Sequence, residues 1–260
     1  MEMVFHGLLD NGVLYHRIDE DVHEGMRLGR HLRLDARSLA HMVENDVQAM
    51  SATPLRNQQW DRPLVILDQG TLGSCTGMAG TGALGTQPFY DKVGRNVLPP
   101  PNDDDACEQF AVQLYSDATK VDPFPGSYPP EDTGSSGLAI CEVLTARGTI
   151  RGYTWARTAY GFLALLQSGP VLQGMPWHEA FFHPNSDGFI DSDPNWPSSR
   201  IAGGHEVEAI AVELDTSDAF NSVITYANSW GTSWGDGGTF RMRLRTYEQL
   251  DGVDLKQFSV

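Results

Sequence analysis

Cysteine is scarce in this sequence, with three among 260 residues, at Cys75, Cys107 and Cys141. An odd, widely spaced set is not a disulfide framework, and without a CxxC pair it does not read as a zinc site. Cys107 and Cys141 read as buried thiols in a reducing compartment, with one bridge between them left open. Positive charge is also short. Lys and Arg number 18 against 34 Asp and Glu, a formal net charge of -16. Such a surface repels phosphate backbones and anionic bilayers, which argues against nucleic-acid partners and membrane attachment. The acidic balance reads as a solubility feature, with nothing to support a preference for cationic substrates. There is no run of about 18 apolar residues to span a membrane. The first residues, MEMVFHGLLDNG, lack the basic and apolar regions of a secretory signal, so a cytoplasmic location is expected.

Hydrophobic residues make up 40% of the chain, enough for one large domain or for two lobes sharing a cleft. Residues 1–60 read as a polar leader with one helical stretch, Ala36 to Met50. A domain over 61–260 follows, with a helical lobe at about 68–155 and a β lobe at about 156–250. Leu64 to Leu67 is a buried-strand candidate. The small-residue run after Cys75, TGMAGTGALG, is expected to be a helix that approaches its neighbours closely, although each Gly costs roughly 1 kcal/mol of propensity. Asp103 to Asp105 supply cap chemistry for a helix to about Thr119, Leu138 to Arg147 is an amphipathic helix stopped by Gly148, and Ala159 to Ser168 is a third. Strands are expected at Val171-Leu172, Glu206 to Glu213, Ser222 to Ala227 and Gly238 to Arg245. Helices first and strands later predict an α+β fold with a cleft between two lobes.

Three segments carry candidate chemistry. Cys75 follows Gly70, Gly73 and Ser74 and opens an expected helix, whose positive end favours a thiolate and offers N–H groups to an oxyanion. The ordinary alternative is a small buried cysteine in a Gly-rich turn. His205, in Gly203-Gly204-His205-Glu206-Val207, stands at a strand start, where a structural histidine is the commoner finding. Asn228 opens Asn228-Ser229-Trp230-Gly231, where an amide oxygen can hold one histidine nitrogen and leave the other to a thiol. A tight turn with packed tryptophans would look the same.

Together, in the order Cys, His, Asn, these segments resemble the papain family of cysteine peptidases. The separations from Cys75 are 130 and 153 residues, against about 130–150 for that family. Gln69 to Cys75 (QGTLGSC) is similar to the family's glutamine-to-cysteine loop, and Asn228-Ser229-Trp230-Gly231 with Trp234-Gly235 and Gly238 to its most distinctive motif. The resemblance covers about Asp61 to Leu244. It implies a papain-like two-lobed fold and a cysteine endopeptidase working through a thioester acyl-enzyme, without a metal or cofactor. Cys75 would be the nucleophile, His205 the general acid–base and Asn228 its orienter. Gln69 would contribute to the oxyanion hole and Trp230 would cover the His205–Asn228 bond. Gly134 would bind a protein or peptide substrate in extended form, and Gly174 and Gly203 would wall the main specificity pocket. Departures are Leu72 in place of a disulfide cysteine, and Thr76 in place of the tryptophan after the nucleophile. The leader shows none of the inhibitory propeptide's helical signature, so control by the leader is not expected. The texture is similar to the intracellular bacterial or phage branch. The rival readings are a non-catalytic peptide-binding module and a cell-wall peptide amidase or transamidase using the same triad.

Two patterns are set aside. His178 and His183 in WHEAFFH are five apart, too far for one helical face to present both to zinc. Asn185 to Asp193 has oxygen ligands like a calcium loop but no terminal bidentate glutamate, and reads as a solvated loop.

Overall fold

A computed structural model describes residues 4–8, 14–17, 23–32, 36–43, 54–250 and 253–260. The strands β1 (Val4–Leu8) and β2 (Leu14–Arg17) form a two-stranded antiparallel sheet of their own. Seven further strands make one antiparallel sheet. They are β3 (Gln58–Gln59), β4 (Gly152–Ala156), β5 (Val171–His178), β6 (Ile201–Glu213), β7 (Val223–Ala227), β8 (Thr239–Arg243) and β9 (Asp254–Ser259). Their order is β4-β9-β5-β6-β7-β8, with β3 on β6. The α+β architecture expected from the sequence is therefore present.

The main helices are α1 (Cys75–Leu84), α2 (Asp104–Val121), α3 (Gly137–Ala146), α4 (Ala159–Leu166) and α5 (Leu244–Gln249). Asp103 caps α2 by accepting from the Ala106 N–H at 3.1 Å, with Asp104 and Asp105 at its positive end. Ser136 and Thr158 cap α3 and α4 in the same way. Every residue of α1 is buried, and its glycines explain how. A methyl group at Gly77 would lie 2.2 Å from the Ala111 carbonyl oxygen of α2, and one at Gly80 would lie 2.6 Å from Ile140 of α3. The close approach outweighs the propensity cost of glycine.

α1 is sandwiched between the other helices and the sheet. Ala79, Ala83 and Leu84 join Leu114, Ile140 and Leu144 in one core, which continues to Trp155, Leu172 and Phe258. A second core under the sheet gathers Met175, Trp177, Phe181, Val207, Tyr226 and Phe240.

Some elements differ from the sequence expectation. Leu64 to Leu67 is not a strand, although Leu64 and Leu67 are buried. The N–H groups of Leu64 and Val65 go to the carbonyls of Gly85 and Pro101, and Arg62 Nη1 takes both of their carbonyl oxygens. The segment is pinned by helix ends and loops, with no neighbouring strand. The Ala36 helix is a 3-10 turn, Ala36–His41, and its remainder from 44 lies outside the described residues. β5 runs on to His178 through Pro176, which is tolerated because β9 pairs only with Leu172 to Gly174 and leaves that edge open. β8 stops at Arg243, where α5 begins. β4 and β9 were not expected as strands, and they pair with each other over Gly152 to Ala156.

Candidate active site

Cys75 is the first residue of α1 and is fully buried. Its position places the thiol at the positive end of a ten-residue helix. His205 stands in β6, the strand against which α1 packs. A methyl group at Gly82 of α1 would meet Glu208 of β6 at 2.4 Å. The His205 ring is wholly buried, and its Nε2 donates to Asn228 Oδ1 at 2.7 Å. Its Nδ1 is buried and has no hydrogen-bond partner. Burial pushes His205 down to about 4, with the Asn228 bond opposing it.

The two loops around this pair are joined by a chain of hydrogen bonds. Asn228 Oδ1 also accepts from the Ser229 N–H at 2.8 Å, and Ser229 Oγ donates to Gln69 Oε1 at 2.6 Å. The Gln69 N–H donates to the Ser229 carbonyl and the Gly231 N–H to that of Leu67. Gln69 Nε2 donates to Leu72 O at 2.8 Å, so one hydrogen of the amide stays available. Trp230 stacks on His205 with centroids 4.7 Å apart, and Trp177 meets the same ring edge-on at 4.9 Å. Trp177 opens the WHEAFFH stretch, where its histidines draw the attention, and nothing local links it to the His205 motif. Its cross-strand partner is Gly203.

No family model matches the chain. It is 33% identical over 85 residues to cathepsin B-like cysteine proteinase 3 of Caenorhabditis elegans, covering 32% of this chain and 21% of that protein. It is 23% identical over 202 residues to cathepsin B-like CP3 of Giardia intestinalis, covering 70% and 65%. The chain thus spans less than two thirds of the length of either relative. Among solved structures, xylellain, a cysteine protease from Xylella fastidiosa, matches with a TM-score of 0.60 and 16% identity, over 90% of this chain and 96% of that one. The bromelain protease of Ananas comosus in complex with the E64 inhibitor matches with a TM-score of 0.52 and 15% identity, over 78% and 99%. The chain is thus similar to cysteine proteinases of the cathepsin B-like kind and shares the papain-like fold of the solved cysteine proteases. At these identities the structural matches carry the fold, a papain-like two-lobed one.

In this papain-like chain the cleft between the lobes is filled by the chain's own N-terminal segment. The N–H groups of Gly29 and Arg30 donate to the Gly204 carbonyl, next to His205, at 3.2 and 2.9 Å. The Ser135 N–H donates to Gly29 O, and the His31 N–H to Ser135 O. Residue 30 pairs in parallel with Ser135. A methyl group at Gly29 would fall 2.1 Å from the Gly73 carbonyl oxygen, two residues before Cys75. One at Gly134, where φ is +71°, would fall 2.5 Å from Gly29 O. The segment therefore threads between the cysteine loop and the histidine strand, held by both lobes. The absence of a helical propeptide signature gave no sign of this.

Of the pocket residues expected, Gly174 lies directly against the segment, and Gly134 borders it. Gly203 pairs with Trp177 across β5 and β6, and the neighbouring Gly204 carbonyl takes the hydrogen bonds of the segment. Further out, His23 stacks on Phe182 and Phe182 on Trp230, so near-parallel rings run from the leader to His205. His183 groups with His23 and Glu24, one ligand atom of each within 4.8 Å of the others, and not with His178. His178 Nδ1 instead meets the Ser199 carbonyl. In the calcium-like loop, Asp191 is taken up by Arg243 and Thr246, and Asn185 caps its own turn. None of the three cysteines forms a disulfide, and all are buried. Among the described residues no helix is long and apolar enough to cross a membrane.

Proposed function

We propose that the protein is a cysteine endopeptidase that hydrolyses peptide bonds through a thioester acyl-enzyme. The observation that carries this reading is the His205–Asn228 bond, which holds Nε2 and leaves Nδ1 unpartnered on the strand facing the Cys75 helix. His205 Nδ1 takes the Cys75 proton. The thiolate sulfur then attacks the scissile carbonyl carbon, whose π electrons move onto oxygen. The Gln69 amide and the N–H groups at the start of α1 are the donors for that oxyanion, and the Ser229 bond to Gln69 fixes the amide in place. The imidazolium protonates the leaving amine as the C–N bond breaks, and water, deprotonated by the same ring, releases the acid. Trp230 and Trp177 keep water from the His205–Asn228 bond. A substrate would lie extended along Ser135 and Gly204, where residues 29–31 now lie, so the segment and a substrate compete for one channel.

The test is hydrolysis of a proteome-derived peptide library, with product termini read by mass spectrometry. The intact chain, a Gly29→Val variant and Cys75→Ala are compared. Valine at 29 collides with the Gly73 backbone and displaces the segment. Cleavage by Gly29→Val, slower cleavage by the intact chain and none by Gly29→Val/Cys75→Ala is the expected result. Ordered peptide binding by Gly29→Val without cleavage would replace the reading with a binding module, and cleavage confined to wall-type peptides would replace it with an amidase.

A further inference from the structure

We infer that the pocket between β5, β6 and β9 is a receptor for a cationic side chain, and that the peptidase takes substrates carrying Arg or Lys at the position that enters it. The inference rests on the peptidase reading. Its present occupant, Arg30, belongs to the segment that fills the cleft.

Gly174, Glu206 and Asp254 form one row across three antiparallel strands. Gly174 of β5 is in register with Glu206 of β6 on one side and with Asp254 of β9 on the other. Cross-strand partners share a face, so two carboxylates flank a position with no side chain. Arg30 enters that gap. A methyl group at Gly174 would lie 1.7 Å from Arg30 Nε. Arg30 Nε donates to Glu206 Oε2 at 2.7 Å, and Nη2 to Asp254 Oδ2 at 3.2 Å. The guanidinium is 0% exposed.

The remaining charges give the pocket its sign. Lys256 pairs with Asp254, and Trp155 Nε1 donates to Asp254 Oδ1 at 2.5 Å. With Arg30 seated, two carboxylates face two cations. With Arg30 withdrawn, Glu206 and Asp254 face Lys256 alone, and a buried carboxylate without a counter-charge strongly favours a new cation. The neighbouring Glu208, two residues along β6, shows the contrast. Its counter-ion is Arg62, which is also anchored to the carbonyls of Leu64 and Val65. Among the described residues, the direct ion pair of Glu206 is with Arg30 of the removable segment, and Lys256 adds a further positive charge nearby. One of the Glu206 oxygens, Oε1, is buried with no hydrogen-bond partner. That oxygen lies against Gly137 at the start of α3, so a substrate cation would be received by Glu206 Oε2 and Asp254 Oδ2, the atoms that hold Arg30.

The experiment walks Arg, Lys, Leu and Glu through each position of four-residue peptidyl-coumarin substrates, using the Gly29→Val chain. The expected result is one position at which Arg and Lys exceed Leu by tenfold or more in kcat/KM and Glu is not cleaved. Glu206→Gln should cut that ratio below about threefold. As a second readout, independent of turnover and of the fate of the Glu206 variant, Gly29→Val/Cys75→Ala is titrated calorimetrically. The ligands are acetyl-Leu-Arg-Gly-amide and acetyl-Leu-Leu-Gly-amide, and the Arg peptide should bind at least tenfold more tightly. Cleavage without a cationic preference at any position overturns the pocket assignment and leaves the peptidase reading standing. Absence of cleavage together with tight binding of the Arg peptide alone overturns the peptidase reading and keeps the pocket. Equal binding of the two peptides overturns the pocket assignment.

Discussion

Arg30 and Glu206 lie 2.7 Å apart in a fully buried ion pair that joins the N-terminal segment to the residue following the candidate catalytic histidine. The pair makes the filling of the cleft and the chemistry of the pocket one structural fact. It also holds the segment through a side chain in addition to its backbone hydrogen bonds.

Removing that anchor should open the cleft. Arg30→Ala is expected to raise the rate of Cys75 alkylation by a small epoxide by tenfold or more over the intact chain, and Arg30→Lys by less. Peptide mapping of the alkylated protein measures the rate. An unchanged rate in Arg30→Ala would show that the pair does not hold the segment.

The pocket should respond to pH. Burial pushes Glu206 up to about 7, against the pull of Arg30 and Lys256 and with Asp254 adding to the rise. The buried Cys141 thiol of α3 also faces this group. A carboxyl with a raised pKa is neutral below that value and charged above it, so a cation binds better as pH rises. In Gly29→Val the Arg-over-Leu ratio in kcat/KM should increase between pH 5.5 and 8, measured with paired coumarin substrates. A flat ratio would remove Glu206 from the account.

His205 carries the opposite sign. Its pKa is pushed down to about 4 by burial, so the intact chain holds a neutral ring at pH 7. The unfolded value is about 6.5. The unfolded state therefore binds the proton first, and stability falls as pH drops from about 6.5 towards 4. NMR of the His205 ring in Cys75→Ala should show titration near 4, and in Gly29→Val/Cys75→Ala a higher value as water reaches the ring. Titration near 6.5 in the closed chain would contradict the burial argument.

Gln69 and Ser229 should separate positioning from donation. Gln69→Ala is expected to lower kcat by about 10²-fold with little change in KM, the usual effect of losing an oxyanion donor. Ser229→Ala should lower kcat less, because Leu72 O still holds the amide. Equal losses would mean that the Ser229 hydroxyl does more than orient Gln69.

Much of this was legible in the sequence. Cys75 after a Gly-Ser turn opens a helix as its pattern indicated, whereas His205, expected at a strand start, lies inside β6, which begins at Ile201. The small residues of α1 likewise signalled close helix packing, which Gly77 and Gly80 provide. The features that escaped notice depend on long-range pairing. Nothing near Arg30 signals a guanidinium site, because its partners are Glu206 and Asp254, on two strands far along the chain. Gly174 reads as an ordinary strand glycine until Glu206 and Asp254 are seen in register beside it. Leu64 to Leu67 has the composition of a strand, yet Gly85, Pro101 and Arg62 take its hydrogen bonds. The net charge of -16 suggested only solubility, since the sequence does not show which carboxylates become buried.

The central claim is that Cys75 is a nucleophile in a cleft closed by the chain's own segment. A peptidyl vinyl sulfone incubated with Gly29→Val under reducing conditions, followed by peptide mapping by mass spectrometry, tests it most directly. The account predicts one adduct, on Cys75, formed faster than in the intact chain and absent when Cys75→Ala is combined with Gly29→Val. An unmodified Cys75 in the opened chain, or an adduct equally strong without it, would contradict the claim.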